Sequence, residues 1–150
     1  MPLTFRLASW LFRRGVPLLP AVLERLLYLT RNCDIPASTR IGEGSYLAHR
    51  GVGVVINGLC SIGERVSLGQ GITIGGTFGS GVPTIGSDVW ISAGARVLGE
   101  IRVGDNVIIG ANAVVIRDVP DNSVVAGVPA RVIRTIAPGS LDTRRGLLLS

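Results

Sequence analysis

The chain is predicted to be all-β, a parallel β-helix built from hexapeptides, with a short α-helical segment at its N-terminus. Three observations lead there. Apolar residues recur at every sixth position in three runs: Ile41 and Leu47; Ile56, Ile62, Leu68 and Ile74; and Ile85, Ile91, Val97, Val103, Ile109 and Val115. Small residues follow them at Gly42, Gly63, Gly69, Gly75, Gly86, Gly104 and Gly110. A second set falls at the fifth position, among them Val66, Ile72, Val89, Ala95, Val107, Ala113 and Val119. A period of six fits neither an amphipathic helix nor a plain alternating strand, and it marks a hexapeptide solenoid.

The N-terminal segment, residues 1–34, is a different kind of sequence. Leu7, Trp10, Leu11, Leu18, Leu19, Val22, Leu23, Leu26 and Leu27 have helical spacing, with Arg6, Arg13, Arg14 and Arg25 between them. Gly15, Pro17 and Pro20 divide it into two short helices. One role is a cap that covers the unpaired strand edges at the end of the solenoid. The other is peripheral contact of residues 3–31 with a membrane, since Arg beside Trp, Phe and Leu suits an interface.

The β-helix proper is expected over residues 35–137. Three hexapeptides make one triangular coil, so residues eighteen apart stack, as Ile85 under Val103 and Ile91 under Ile109. A single repeat cannot bury its own apolar face, but stacked neighbours can. A β-sandwich rich in Val and Ile would not hold one six-residue frame from Ile85 to Val115. The frame breaks twice. Leu47 to Ile56 is nine residues and contains the sole His, His49; Ile74 to Ile85 is eleven and contains Gly76-Thr77-Phe78-Gly79-Ser80-Gly81-Val82-Pro83. Insertions in a solenoid emerge as loops, often on the binding face. Asp121-Asn122-Ser123 is a turn, Val124 to Arg131 closes the last coil, and residues 138–150 read as a flexible tail.

Length, 150 residues, allows one domain with extensions. The formal net charge of +5 suits an anionic partner. The basic residues lack the aromatic interleaving of a nucleic-acid surface, so no nucleic-acid partner is expected. Cys33 and Cys60 have no metal-ligand spacing and read as buried free thiols. No signal peptide and no uncharged apolar run long enough to span a bilayer is found. The expected location is the cytoplasm, or the inner face of the membrane.

Leu47-Ala48-His49, Gly53-Val54-Val55-Ile56, Gly71-Ile72-Thr73-Ile74-Gly75-Gly76-Thr77, Ile91-Ser92-Ala93-Gly94-Ala95, Ile109-Gly110-Ala111-Asn112-Ala113 and Ala126-Gly127-Val128-Pro129-Ala130-Arg131 occur in this order. In these segments, over about residues 35–134, the chain resembles the hexapeptide-repeat acyltransferases, in their serine O-acetyltransferase-like branch. It also resembles the O-acetyltransferases of polysaccharide assembly. The resemblance implies a left-handed β-helix, a homotrimer with active sites between subunits, acetyl-CoA as co-substrate and no metal. It makes His49 the general base, and imidazole is the side chain whose ordinary titration range brackets neutrality. It assigns Gly75, Gly76 and Thr77 to close backbone approach and the oxyanion, Ala93 and Ala111 to the CoA arm, and Arg117, Arg131 and Arg134 to its phosphates.

Two departures bear on the acceptor. The family places Asp directly before the His, where this chain has Ala48, and a second His in the loop that here reads Gly79-Ser80-Gly81-Val82-Pro83-Thr84. On that ground the expected acceptor is a sugar or glycan hydroxyl, with serine as the alternative small-molecule acceptor. A non-catalytic β-helix scaffold and a nucleotide-sugar N-acyltransferase remain as alternatives. A β-helix carbonic anhydrase needs three His around zinc, and this chain has one.

Overall fold

The computed structural model describes residues 1–77, 79, 81–142 and 147–148. It is a left-handed parallel β-helix preceded by a helical hairpin. Helix α1 (Leu3–Arg13) ends at Arg14 and Gly15, the latter with φ of +70°. Helix α2 (Leu19–Arg31) begins with Pro20 in its first turn, where the missing N–H costs nothing, and ends on Asn32 in the left-handed conformation.

The strands are two or three residues long until the last coil, because each hexapeptide spends its other residues on a corner. One wall is made by β1 (Arg40–Ile41), β4 (Ser61–Ile62), β7 (Thr84–Ile85) and β10 (Arg102–Val103). The second holds β2 (Tyr46–Leu47), β5 (Ser67–Leu68), β8 (Trp90–Ile91), β11 (Ile108–Ile109) and β13 (Ser123–Gly127). The third holds β3 (Val55–Ile56), β6 (Thr73–Gly75), β9 (Arg96–Leu98) and β12 (Val114–Val115). All these pairings are parallel; β14 (Ala130–Thr135) then folds back antiparallel on β13.

The register carries the frame breaks without slippage. Ile91 pairs with Ile109, one coil on, and Ile62 with Ile85, the longer gap taken up by the inserted loop. Ile56, Ile74, Val97 and Val115 stack in one column, and Leu68, Ile91, Ile109 and Val125 in another, all buried. The fifth-position residues Val66, Ile72, Val89, Ala95, Val107 and Ala113 fill the space between columns and are wholly buried. Each buried aliphatic side chain contributes about 1.5–3 kcal/mol. Stacked identical corners leave no room for a Cβ at Gly63 or Gly69, where one would sit 2.5 and 2.6 Å from the next coil's backbone.

Phe5 of α1 and Leu27 of α2 join the same core through Cys33 and Ile35, so the hairpin packs on the first coil. Glu24 accepts a hydrogen bond from the Ala37 N–H and ties α2 to the connector. Within residues 138–150, Leu141–Asp142 (β15) pairs antiparallel with Leu147–Leu148 (β16), and Leu141 is buried. Residues 143–146 and 149–150 of that tail lie outside the described residues, as do Phe78 and Ser80 of the second inserted loop.

Candidate active site

The second and third walls meet along one edge of the prism, and His49 sits there in the first inserted loop. The loop is the 3-10 turn Ala48–Gly51. His49 and Arg50 both have left-handed backbone angles, φ 48° and 63°, and Gly51 and Gly53 follow with φ 79° and 69°. Non-glycine residues in that region store strain and persist only where the surroundings hold them. Gly51 is required on a second count: a Cβ there would lie 2.7 Å from Leu47 Cδ1 and 3.3 Å from Cys33 Sγ. The backbone of the loop is pinned below by the Gly53 N–H donating to Asn32 O at 2.9 Å. Asp34 N–H donates to Val54 O at 2.8 Å, and Asp34 O accepts from Ile56 N–H at 2.9 Å. The His49 side of the loop is exposed, and so is Asp34.

Above His49 the edge continues through Gln70-Gly71, Ala93-Gly94 and Ala111-Asn112. Hydrogen bonds climb it rung by rung: Gly71 N–H to Val52 O at 2.8 Å, Gly94 N–H to Gln70 O at 2.9 Å, and Asn112 N–H to Ala93 O at 2.9 Å. Gly127 to Arg131 closes the top, since Ala126 pairs with Arg131 and Gly127 with Ala130. With strands spaced by about 4.8 Å, the edge from His49 to Arg131 is about 19 Å long. Every rung carries a small residue, and Gly71, Ala93, Gly94, Ala111 and Gly127 leave room there for an elongated ligand to approach the backbone.

Charge is distributed unequally over the edges. The edge between the first and second walls carries Glu43, Glu64, Asp88, Asp105 and Asp121. There the carboxylates cap corner N–H groups, as Asp105 does for Ser87 at 2.6 Å and Asp121 for Asp105 at 2.9 Å, or pair with Arg65. The corners of the His49 edge, from Ala48 up to Arg131, hold no carboxylate. They hold Arg50, Arg131 and, reaching in from β9, Arg96. Arg96 Nη1 donates to Gly71 O at 2.6 Å, Gly94 O at 2.8 Å and Ala95 O at 3.4 Å. Nothing in the period-six pattern marks Arg96, and its role was not legible before its carbonyl partners were in place. The same holds for Asp34, fifteen residues from His49 in sequence but paired with the strand that leaves its loop.

The edge therefore gathers His49, Ala93, Ala111 and Arg131. The other expected site residues lie elsewhere. Gly75, at the end of β6, accepts a hydrogen bond from Gly99 N–H on its carbonyl at 3.0 Å and stands, with exposed Gly76 and Thr77, on the opposite edge of the third wall. A Cβ at Gly75 would meet only Asn57, at 3.7 Å, so packing does not demand the glycine. Arg117 is exposed on that same far edge. Arg134 pairs with Val124 at the other end of β14 from Arg131. One chain thus does not bring His49 and Gly75–Thr77 together, nor the three arginines. Among the described residues no cluster of His, Cys, Asp and Glu could hold a metal. Cys33 and Cys60 are free and buried, and burial raises both thiols to about 11.

Residues 83–117 match the family described as bacterial transferase hexapeptide (six repeats). The chain is similar to the serine acetyltransferase of Synechococcus elongatus, 42% identical over 131 residues, 85% of this chain and 53% of that one. It is also similar to the serine acetyltransferase of Helicobacter pylori, 41% identical over 134 residues, 87% of this chain and 78% of that one. Among solved structures, serine acetyltransferase from Brucella abortus in complex with coenzyme A superposes with a TM-score of 0.84 at 37% identity, covering 89% of this chain and 54% of the other. The chain spans about half the length of several of these relatives.

These relatives correct the expectation of a sugar or glycan acceptor. That expectation rested on Ala48 and on the absence of a His from the second loop. The relatives similar across most of the chain, at 40% identity or more, are serine acetyltransferases. The physical weakness of the expectation was to equate sequence neighbours with spatial ones: the lack of Asp at position 48 says nothing of Asp34, whose backbone pairs with the strand that leaves the loop.

Proposed function

The chain belongs to the serine acetyltransferase family, and on that premise we propose that it moves the acetyl group of acetyl-CoA to the hydroxyl of serine. The observation that carries the reading is His49 held at the foot of a carboxylate-free corner ladder about 19 Å long, with strands spaced as in any sheet. CoA is elongated and polyanionic. The small residues Ala93 and Ala111 would let its arm lie against backbone groups, and Arg131 would meet its phosphates.

In this reading His49 accepts the serine hydroxyl proton as the oxygen attacks the thioester carbonyl. Asp34 orients the imidazole and balances the charge it gains. The tetrahedral oxyanion is held by backbone N–H donors of the Gly75-Gly76-Thr77 segment, where the two glycines permit close approach. Collapse breaks the C–S bond, and the thiolate of CoA takes the proton back from His49. The product is O-acetylserine, and no acyl-enzyme forms.

His49 and Gly75–Thr77 stand on opposite edges of one wall, so the reading needs a second chain. We infer a homotrimer in which His49 of one subunit faces Gly75–Thr77 of its neighbour, with Arg117 and Arg134 adding to the phosphate site across the interface. The cytoplasm is the compartment that fits a CoA-dependent enzyme with two free thiols.

The test is release of free CoA from acetyl-CoA by the purified protein with L-serine, beside His49→Gln and Asp34→Asn. Turnover that falls by about 10²–10⁴ in His49→Gln, with acetyl-CoA binding retained by calorimetry, is expected. Serine-dependent release that persists in His49→Gln, or no acetyl-CoA binding by the native chain, overturns the assignment.

A further inference from the structure

The helical hairpin is apolar on both of its faces. Phe5, Ala8 and Leu11 of α1, with Pro20 and Leu27 of α2, are buried. α1 also exposes Leu3, Leu7 and Trp10, spaced four and three apart along one stripe at the rim of a groove shared with Ile41, Gly42 and Glu43. The opposite face of α2 presents Leu19, Val22, Leu26 and Leu29, again one stripe, with Val22 60% and Leu29 69% exposed. Leu18 at the tip between the helices is 82% exposed. Contiguous apolar stripes left exposed in this way mark an interaction surface.

The charges beside these stripes say what kind of surface covers them. Arg6, Arg13, Arg14, Arg25 and Arg31 lie on the hairpin. Its one acid, Glu24, is engaged by the Ala37 N–H. Arg14 lies 4.3 Å over the Trp10 ring and Arg25 5.6 Å over the Tyr28 ring, so each guanidinium borders an aromatic body. Long basic side chains with an apolar stem, set beside aromatics and Leu, are suited to a boundary between hydrocarbon and anionic headgroups. A second hairpin of the same sequence would bring arginines against arginines, five on each hairpin against the single Glu24, which disfavours self-association through this face. No described helix is long and apolar enough to cross a membrane.

We propose that the Leu3–Arg31 hairpin docks the protein on an anionic lipid surface. The Leu7–Trp10 and Val22–Leu29 stripes enter the acyl boundary and the flanking arginines sit among the headgroups. The first coil stands above the membrane, which orients the His49 edge relative to it. The docking is independent of the acetyl-transfer reading.

The experiment is flotation of the full chain with vesicles of phosphatidylcholine alone and of phosphatidylcholine with phosphatidylglycerol, at low and high salt. Trp10 emission is followed in a Trp90→Phe background. Binding to the mixed vesicles, weakened by salt, with emission moving to shorter wavelength, is expected. Arg6→Gln with Arg13→Gln should weaken it by about tenfold or more, and Leu26→Gln with Leu29→Gln should abolish it. Both variants should keep native circular dichroism and acetyl transfer in solution, because every changed side chain is exposed. Failure to float with either vesicle overturns the proposal. So does equal, salt-independent binding to both, or loss of a larger oligomer in the leucine variant without any vesicle binding by the native chain.

Discussion

Arg96 is bonded to Gly71 at 2.6 Å, through Nη1 and the glycine carbonyl, across two coils of the helix. Gly71 in turn donates its N–H to Val52 O, and Val52 N–H reaches His49 O at 3.5 Å. A guanidinium on β9 is thereby linked, by two backbone steps, to the strained loop that carries the imidazole. Nη1 also holds Gly94 O, so one cation gathers carbonyls that would otherwise repel one another at the corner.

Arg96→Met should therefore lower kcat for acetyl transfer about ten- to hundredfold, the cost of misplacing a reacting group by about an ångström. The KM for acetyl-CoA should change little, and Arg96→Lys should restore part of kcat. Steady-state kinetics beside thermal melting checks this. A fall in melting temperature with kcat per folded molecule unchanged would make Arg96 merely structural.

Gly51→Ala places a methyl 2.7 Å from Leu47 Cδ1 at a φ of +79°. The expected loss of stability is about 1–3 kcal/mol, read from urea unfolding. Acetyl transfer should fall further than the folded fraction does, because the same backbone sets His49. An unchanged urea midpoint would mean the loop is softer than its packing suggests.

Arg131 closes the top of the edge, and its Nη1 donates to its neighbour's carbonyl, Ala130 O, at 2.9 Å. Arg131→Gln should raise the KM for acetyl-CoA about tenfold, the worth of one charge-assisted hydrogen bond, with kcat retained. A raised KM for serine instead would move Arg131 to the acceptor side.

Burial holds the Cys33 and Cys60 thiols at about 11. Their ordinary value is near 8.5, so between these the unfolded chain has lost protons that the folded chain keeps. Stability is full below the unfolded value and falls as pH rises towards about 11, by on the order of 2–3 kcal/mol for each thiol. Urea midpoints measured across that window should decline, and the decline should flatten in Cys33→Ala with Cys60→Ala. A flat profile in the native chain would refute it.

Most of the scaffold was legible in the residues, because a solenoid writes its geometry as a period. Ile85, Ile91 and Val97 each fall on the same position of successive hexapeptides, and each is buried on its own wall. His49 was legible as the sole imidazole inside a frame break. Arg96 and Asp34 were not, because a surface Arg and a connector Asp look alike in sequence whether or not carbonyls or a loop await them. The acceptor was misread for the same reason: Ala48 is a fact about the chain, whereas the pairing of Asp34 with the strand that leaves the His49 loop is a fact about space.

What the amino-acid sequence determined by itself was the coil, its three walls, its register and the two loops that leave it. Repetition every six residues admits one way of burying that many aliphatic side chains. What only the tertiary structure decided was the grouping of functional residues by edge. His49, Ala93, Ala111 and Arg131 share one edge, and Gly75–Thr77 with Arg117 share another. An edge collects residues a whole coil apart, and hydrogen bonds between coils, not proximity along the chain, set which of them can meet a ligand.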